Sequence, residues 1–318
     1  MRIAVFLCLV LGAMACQAQD WPSRPVRIVV PFPPGNGADV ISRLIGERIS
    51  PALGQPVIVE NRPGAGSMVG TTFVAKSPPD GYTLLAGGNS AMVINPFLYK
   101  DAPYDTLRDF APIVNISALP LALCVTPTLP VQNVKELIAL AKAKPGEIAY
   151  GSSGNGSTHH LTTSLFAVAA GIQMTHVPYK GSSASFADLM AGRVHLVADT
   201  MPTAVLYSRS GKVRAIGVTS LKRSPFLPDV PTLDEQGVKG FDIVAWTGFF
   251  APAGTPEAIL DRLNAEVLKV LREPATLKRM NDLALDPIGN SREHFTAFVK
   301  QELARWQKAV QASGAKVD

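Results

Sequence analysis

The stretch Val26-Arg27-Ile28-Val29-Val30, then Pro31-Phe32-Pro33-Pro34-Gly35-Asn36-Gly37, then Ile41, Leu44, Ile45 and Ile49, decides the fold. A β-branched run, a turn rich in Pro and Gly, and apolar residues at helical spacing read as strand, turn and helix. Gly54 stands where a helix C′ glycine belongs. The pattern recurs at Ile148–Tyr150, followed by Gly151-Ser152-Ser153-Gly154-Asn155-Gly156-Ser157 and a helix marked by Leu161, Leu165 and Val168. Gly35 and Gly154 lie 119 residues apart, about one small domain.

Strands and helices alternate around these two copies. Val57–Val59, Thr83–Ala86, Met174–Val177, Leu196–Ala198 and Ala215–Val218 read as strands. Helical patterns run over Met68–Ala75, Asn133–Lys144, Pro256–Leu271 and Arg292–Ala312, with Leu285–Ile288 between the last two. The alternation predicts an α/β fold of mainly parallel sheets flanked by helices. Two similar lobes, each offering one glycine-rich turn to a shared cleft, are the simplest arrangement. The chain is expected to cross near Leu121–Val125 and return near Val244–Phe250. That gives one lobe from residues 19–122 plus 245–318 and the other from residues 123–244.

Composition agrees with a packed protein. Of 318 residues, 47% are hydrophobic and 17% charged, which excludes wholesale disorder. The net charge of +5 comes from scattered basic residues, and nucleic-acid binding needs a clustered stripe. Residues 1–18, MRIAVFLCLVLGAMACQA, have a basic n-region at Arg2, an apolar h-region at Ile3–Gly12 and small residues after it. This predicts an export signal cleaved after Ala18, since the run is shorter than the ~20 residues needed to span a bilayer. The weaker alternative is cleavage before Cys16 with lipid attached there, because Ala13-Met14-Ala15 lacks the usual lipobox Leu. Cys124 is then the one remaining cysteine, expected to be a buried and inert thiol.

The two turns carry the chemistry. A helix N-terminus presents unpaired N–H groups and the positive end of its dipole, a ready site for an anion. Residues 31–39 and 151–161 contain no Lys or Arg, so N–H groups and hydroxyls must hold any anion there. Three or four charge-assisted bonds at ~1.5–3 kcal/mol each support micromolar affinity after association costs. Asp39, at the start of its helix, reads as an N-cap. Asp199 follows a strand and either caps the next helix or accepts a hydrogen bond from a ligand hydroxyl or amine. His159 and His160 point about 100° apart on a helix, so they make no two-histidine metal face, and only one can reach the cleft.

Several motifs fail. Gly64-Ala65-Gly66-Ser67-Met68-Val69-Gly70 superficially matches a dinucleotide fingerprint, but Arg62-Pro63 interrupts the turn and no acid ends the next strand. Neither Gly151-Ser152-Ser153-Gly154-Asn155 nor Gly88-Asn89-Ser90-Ala91-Met92 completes a nucleophile elbow, and there is no P-loop. No cofactor or metal is expected, and no enzyme is supported.

Eight separated motifs, in order from Trp21 towards the C-terminus, resemble the Bug-type solute receptors of tripartite tricarboxylate transporters. They include Val29-Val30-Pro31-Phe32-Pro33-Pro34-Gly35, Val59-Glu60-Asn61-Arg62-Pro63-Gly64-Ala65-Gly66, Pro79-Asp80-Gly81-Tyr82-Thr83, Val177-Pro178-Tyr179-Lys180-Gly181 and Phe250-Ala251-Pro252-Ala253-Gly254. The resemblance implies a two-lobed type II periplasmic binding fold that closes on a small carboxylated ligand. Its partners would be that metabolite and the membrane permease subunits, with no nucleic acid, and the receptor would be a monomer.

By the same resemblance the two turns act as pincers on one carboxylate, partly through ordered water. The first contributes Phe32, Pro34, Gly35, Asn36, Gly37 and Asp39. The second contributes Ser152, Ser153, Gly154, Asn155, Gly156, Ser157 and His160. Tyr179, Gly181, Asp199, Thr200, Asn89 and Ser90 would face the distal part of the ligand. Asn36 stands where the family usually has a second glycine, a position whose left-handed geometry Asn tolerates. Gly156→Pro is expected to abolish binding by removing one pincer N–H while leaving the fold largely intact. The alternatives are a periplasmic partner of a signalling system, or a secreted hydrolase using Ser157 and His160.

Overall fold

Val26–Val30 forms strand β1, and all but Arg27 of it is buried, as expected of a strand covered on both faces. The computed structural model describes residues 21–315, so the expected export signal and Cys16 lie outside it. Helix α1, Gly37–Leu53, buries Ile41, Ile45, Ile49 and Leu53 along one stripe and ends at Gly54. Strand β2 is Val57–Asn61, helix α2 Met68–Ala75 and strand β3 Thr83–Gly88. A π-wound turn at Ser90–Ile94 and one-turn helices at Asn95–Leu98 and Thr106–Asp109 lead to the 16-residue strand β4, Phe110–Val125.

The chain continues through α3 (Val134–Ala143), β5 (Ala149–Ser152), α4 (Thr158–Ala170), β6 (Thr175–Pro178) and α5 (Ser182–Met190). Next come β7 (Leu196–Thr200), α6 (Met201–Arg209), β8 (Arg214–Val218) and β9 (Val244–Pro252). Helices α7 (Glu257–Arg272), α8 (Pro274–Asp282) and α9 (Arg292–Ser313) close the described chain. The segment at Leu285–Ile288 lies along β4 through a single bridge, Ser117 to Pro287.

Strand order is β2-β1-β3-β9-β4-β7-β5-β6, with β8 also paired to β4. The sheet is mixed. Strands β1, β2 and β3 pair in parallel, as do β5, β6 and β7. Every pairing that involves β4 or β9 is antiparallel, because these two strands carry the chain between the parallel sets. The parallel expectation therefore holds within each βαβ set and fails where they join. Strand β4 pairs with β9 as far as Pro120 and with β7 from Leu121, and β9 begins opposite Pro120 at Val244.

Two apolar cores cover the faces of the sheet. One joins α1 and α7 to Val26, Ile28, Val30 and Phe249. The other gathers Val29, Leu121, Phe166, Trp246, Phe250 and Phe295. Helix α9 packs on β4, on the Ser90–Ile94 turn and on α4, and so touches both parallel sets. Among the described residues no helix is long and apolar enough to cross a membrane.

Candidate functional site

The turns after β1 and β5 meet at a small inner cavity of about 60 Å³. Asn36, Gly37 and Ala38 approach from the start of α1, and Ser153, Thr158 and His159 from the start of α4. Asn89, Ser90, Ser117, Leu119, Thr200, Trp246 and Thr247 complete much of the wall. Among the described residues no Lys, Arg, Asp or Glu lines it. A wider crevice of about 860 Å³ adjoins it and shares Phe32, Asn36 and Ser153 with it. Pro34, Gly35, Gly154, Asn155, Ser157, Tyr179 and Gly181 line that crevice, whose one charged residue is Lys180.

The first turn works differently from the sequence expectation. Asn36, not Asp39, is the N-cap of α1, and its side-chain oxygen accepts the Ala38 N–H at 2.7 Å. Its backbone is extended, and the left-handed residue is Gly35, at φ +83°. Asparagine in place of a second glycine therefore costs the turn nothing and supplies its cap.

Asp39 sits in the first helical turn, 4% exposed. One oxygen accepts the Gly35 N–H at 2.9 Å; the other takes the Asn61 amide at 2.9 Å and pairs with Arg43 at 2.9 Å. Burial opposes its ionisation, but Arg43, the Gly35 N–H and Asn61 outweigh it and hold the carboxyl below its usual range. Asp39 lines neither cavity; it fixes the loop.

The second turn is pinned from behind. Ser157 caps α4 by accepting the His160 N–H at 3.2 Å. No side-chain bond joins Ser157 to His160, so the hydrolase dyad is not formed. The His160 ring stacks on His176 with centroids 3.9 Å apart, and its Nδ1 accepts the Gly156 N–H at 3.3 Å. Burial, then the neighbouring His176 ring, push His160 down to about 3, and burial takes His176 to about 4. Ser152 bonds to His176 Nε2 at 2.7 Å. Ser152, Gly156 and His160 thus form a support and line neither cavity, and the Gly156 N–H is already used.

The histidine that reaches the cavity is His159. Its Nδ1 lies 2.7 Å from Ser153 Oγ and its Nε2 3.4 Å from Asp199 Oδ1. Asp199 is neither helix cap nor cavity lining; its Oδ1 accepts the Thr200 N–H at 2.7 Å. Thr200 is the N-cap of α6 and lines the cavity. Asn89 lines it too, but its amide is spent on β9, giving to Val244 O at 3.1 Å and taking the Trp246 N–H at 2.9 Å. The Tyr179 hydroxyl is turned to Asp188 at 2.7 Å. Burial, then that carboxylate, raise it to about 12.

Some donors therefore serve the protein itself. The N–H groups of Ala38, Gly156, Thr158 and His160 all have side-chain acceptors. Gly37 N–H and His159 N–H have no partner among the described residues, and both residues line the cavity. The hydroxyls of Ser117 and Thr247 add to them, whereas those of Ser153, Thr158 and Thr200 are bonded to His159, Ser90 and Asp199. Ser117 and Thr247 face each other across β4 and β9, a pairing that no local signal announces. The rejected Gly64–Gly70 run does belong near the site, since Gly64, Ala65 and Gly66 border the crevice. No cluster of three His, Cys, Asp or Glu side chains fit to hold a metal occurs among the described residues.

Comparison with known proteins matches this geometry to one family. Residues 41–315 match the tripartite tricarboxylate transporter family receptor. The protein BugT of Bordetella pertussis is 36% identical over 316 residues, covering 99% of this chain and 97% of its own. The structure of R. palustris Rpa4515 with adipate superposes with a TM-score of 0.90 at 38% identity, covering 94% of this chain and all of that one. MatC (Rpa3494) from Rhodopseudomonas palustris with bound malate gives 0.86 at 32%, covering 91% of this chain and 100% of its own. The chain belongs to the tripartite tricarboxylate transporter receptor family, the Bug-type solute-binding receptors.

Proposed function

We propose that the chain captures a small carboxylated metabolite in the periplasm and delivers it to the membrane permease subunits of a tripartite transporter. It does so without transforming the ligand. Residues 19–122 with 245–318 form one lobe and residues 123–244 the other, and the metabolite sits between them. One observation carries this reading: two helix starts, one from each side, converge on a cavity walled by neutral donors and free of Lys and Arg. The adipate and malate bound by two similar receptors support it. Closure of the lobes on the ligand creates the face that the permease reads.

Thermal-shift screening of mono-, di- and tricarboxylates, with aromatic acids, sugars and amines as controls, tests the reading. A ligand at a hundred times its Kd adds ~2.7 kcal/mol, or about 5 °C in a chain of this size. A shift confined to carboxylates is expected. No shift with any of them overturns the reading.

A further inference from the structure

We propose that Gly66 is a closing contact of the receptor: it meets Asn155 only when the two lobes shut on a ligand, and its missing side chain lets them shut fully. This rests on the carboxylate reading above and on the two lobes named there.

The loop that carries Gly66 is held in an unusual shape. Gly64, Ala65, Gly66 and Ser67 all have positive φ, at 136°, 44°, 61° and 89°. For Ala65 and Ser67 that geometry is strained, and such strain persists only where neighbours impose it. Asn95 Nδ2 donates to Gly66 O at 2.8 Å and to Ser67 Oγ at 3.2 Å, and Thr71 Oγ1 donates to Ser67 O at 2.8 Å. Asn95, Thr71 and Ser67 are all buried. The loop is thus fixed to the side of the first parallel set and presents Gly66 to the second glycine-rich turn. A Cβ on Gly66 would stand 2.6 Å from Asn155 O, too close for any carbon, and 3.2 Å from the Tyr99 hydroxyl. Main chain therefore meets main chain here.

The contact lies where closure has the greatest reach. Gly66, Tyr99 and Asn155 line the outer crevice. Gly181 lines it as well, and a Cβ there would meet Pro33 of the first turn at 3.2 Å. The two sides thus touch twice along the crevice, each time at a glycine. Strands β4 and β9, which carry the chain between the parallel sets, give Ser117, Leu119, Trp246 and Thr247 to the inner cavity and nothing to the crevice. A hinge at those strands displaces the crevice walls more than the inner cavity, because displacement grows with distance from the axis. The crevice contacts are then the first to part and the last to form.

An alanine at Gly66 separates closure from ordinary packing. Its backbone strain at φ +61° is the same with the lobes open or shut, so it cancels from the affinity. The clash with Asn155 O exists only in the shut form and so appears in Kd, since a ligand is opposed by whatever disfavours the form that it binds. Gly54 is the matched control. It ends α1 at φ +68°, outside both cavities, with nothing within 4 Å of a Cβ.

Calorimetry and urea denaturation of the mature protein test this. The probe is the tightest binder from a set of short mono- and dicarboxylates that includes adipate and malate. Gly66→Ala should raise Kd at least ~fivefold, while losing no more ligand-free stability than Gly54→Ala, which should bind like the wild type. A smaller change in Kd overturns the proposal alone and leaves the carboxylate reading standing. A permanent contact gives that result, with the loss moved to the ligand-free stability. Should Gly66→Ala not fold, hydrogen exchange of the wild type decides. The ligand should slow exchange across residues 64–67, which lie outside the inner cavity, and unchanged exchange there overturns the proposal. Failure of every carboxylate to bind the wild type overturns both.

Discussion

The Ser90 hydroxyl accepts the backbone N–H of Thr158 at 2.9 Å, across 68 residues of chain. The Thr158 hydroxyl lies 3.2 Å from the same oxygen. Ser90 follows β3 in the first parallel set, and Thr158 opens α4 in the second, so one side chain latches the two sets beside the cavity. Ser90→Ala should weaken ligand binding by about fivefold, the worth of one ~1 kcal/mol hydrogen bond. Calorimetry against the same carboxylate measures it, and an unchanged Kd would show that the latch has no part in closure.

Asp39→Asn should destabilise the chain by about 1.5–3 kcal/mol at neutral pH, since the carboxylate's bonds to Arg43, Gly35 and Asn61 weaken together. The sign with pH follows from its lowered folded-state value. The stabilisation is full above the unfolded value of ~3.9 and is lost as pH falls through the lower folded one. Urea denaturation from neutral to acid pH should show that acid loss in the wild type and less of it in the variant.

The His160–His176 stack predicts a second, higher acid slope. Unfolded histidine takes its proton near ~6.5. The folded rings resist until about 3 and about 4. Between those limits the unfolded chain binds more protons, so stability is full above ~6.5 and falls by up to ~1.4 kcal/mol per pH unit for each ring as pH drops. His176→Gln should flatten this slope in the same denaturation series.

Gly156 has φ +74°, and a Cβ there would meet Asn95 Oδ1 at 3.0 Å and Leu98 Cδ2 at 3.1 Å. Gly156→Ala should therefore cost about 1–3 kcal/mol of stability and raise Kd, because strain and the clash with the facing segment add. Gly35→Ala, whose Cβ would meet nothing within 4 Å, should cost only the backbone strain. Equal losses in paired thermal melts would count against the close approach at Gly156.

Cys124 is fully buried and its thiol is pushed up to about 12, chiefly by burial. The folded protein should leave it unlabelled by maleimide at pH values where an ordinary thiol reacts, and denaturant should expose it. Peptide mass spectrometry after labelling distinguishes the two states.

The sequence alone determined what depends on neighbours along the chain. Repeated strand-turn-helix patterns, glycines at turns and the absence of Lys and Arg from residues 31–39 and 151–161 were all legible. Backbone preference and hydrophobic period act over a few residues, so they can be read one segment at a time. Tertiary structure decided which of two adjacent histidines faces the cavity, because the rotation of α4 is fixed by its packing and not by its own residues. It also set Ser117 opposite Thr247, brought Gly64–Gly66 to the crevice and spent the Asn89 amide on β9. These contacts join residues far apart in sequence, and only burial against particular partners selects them.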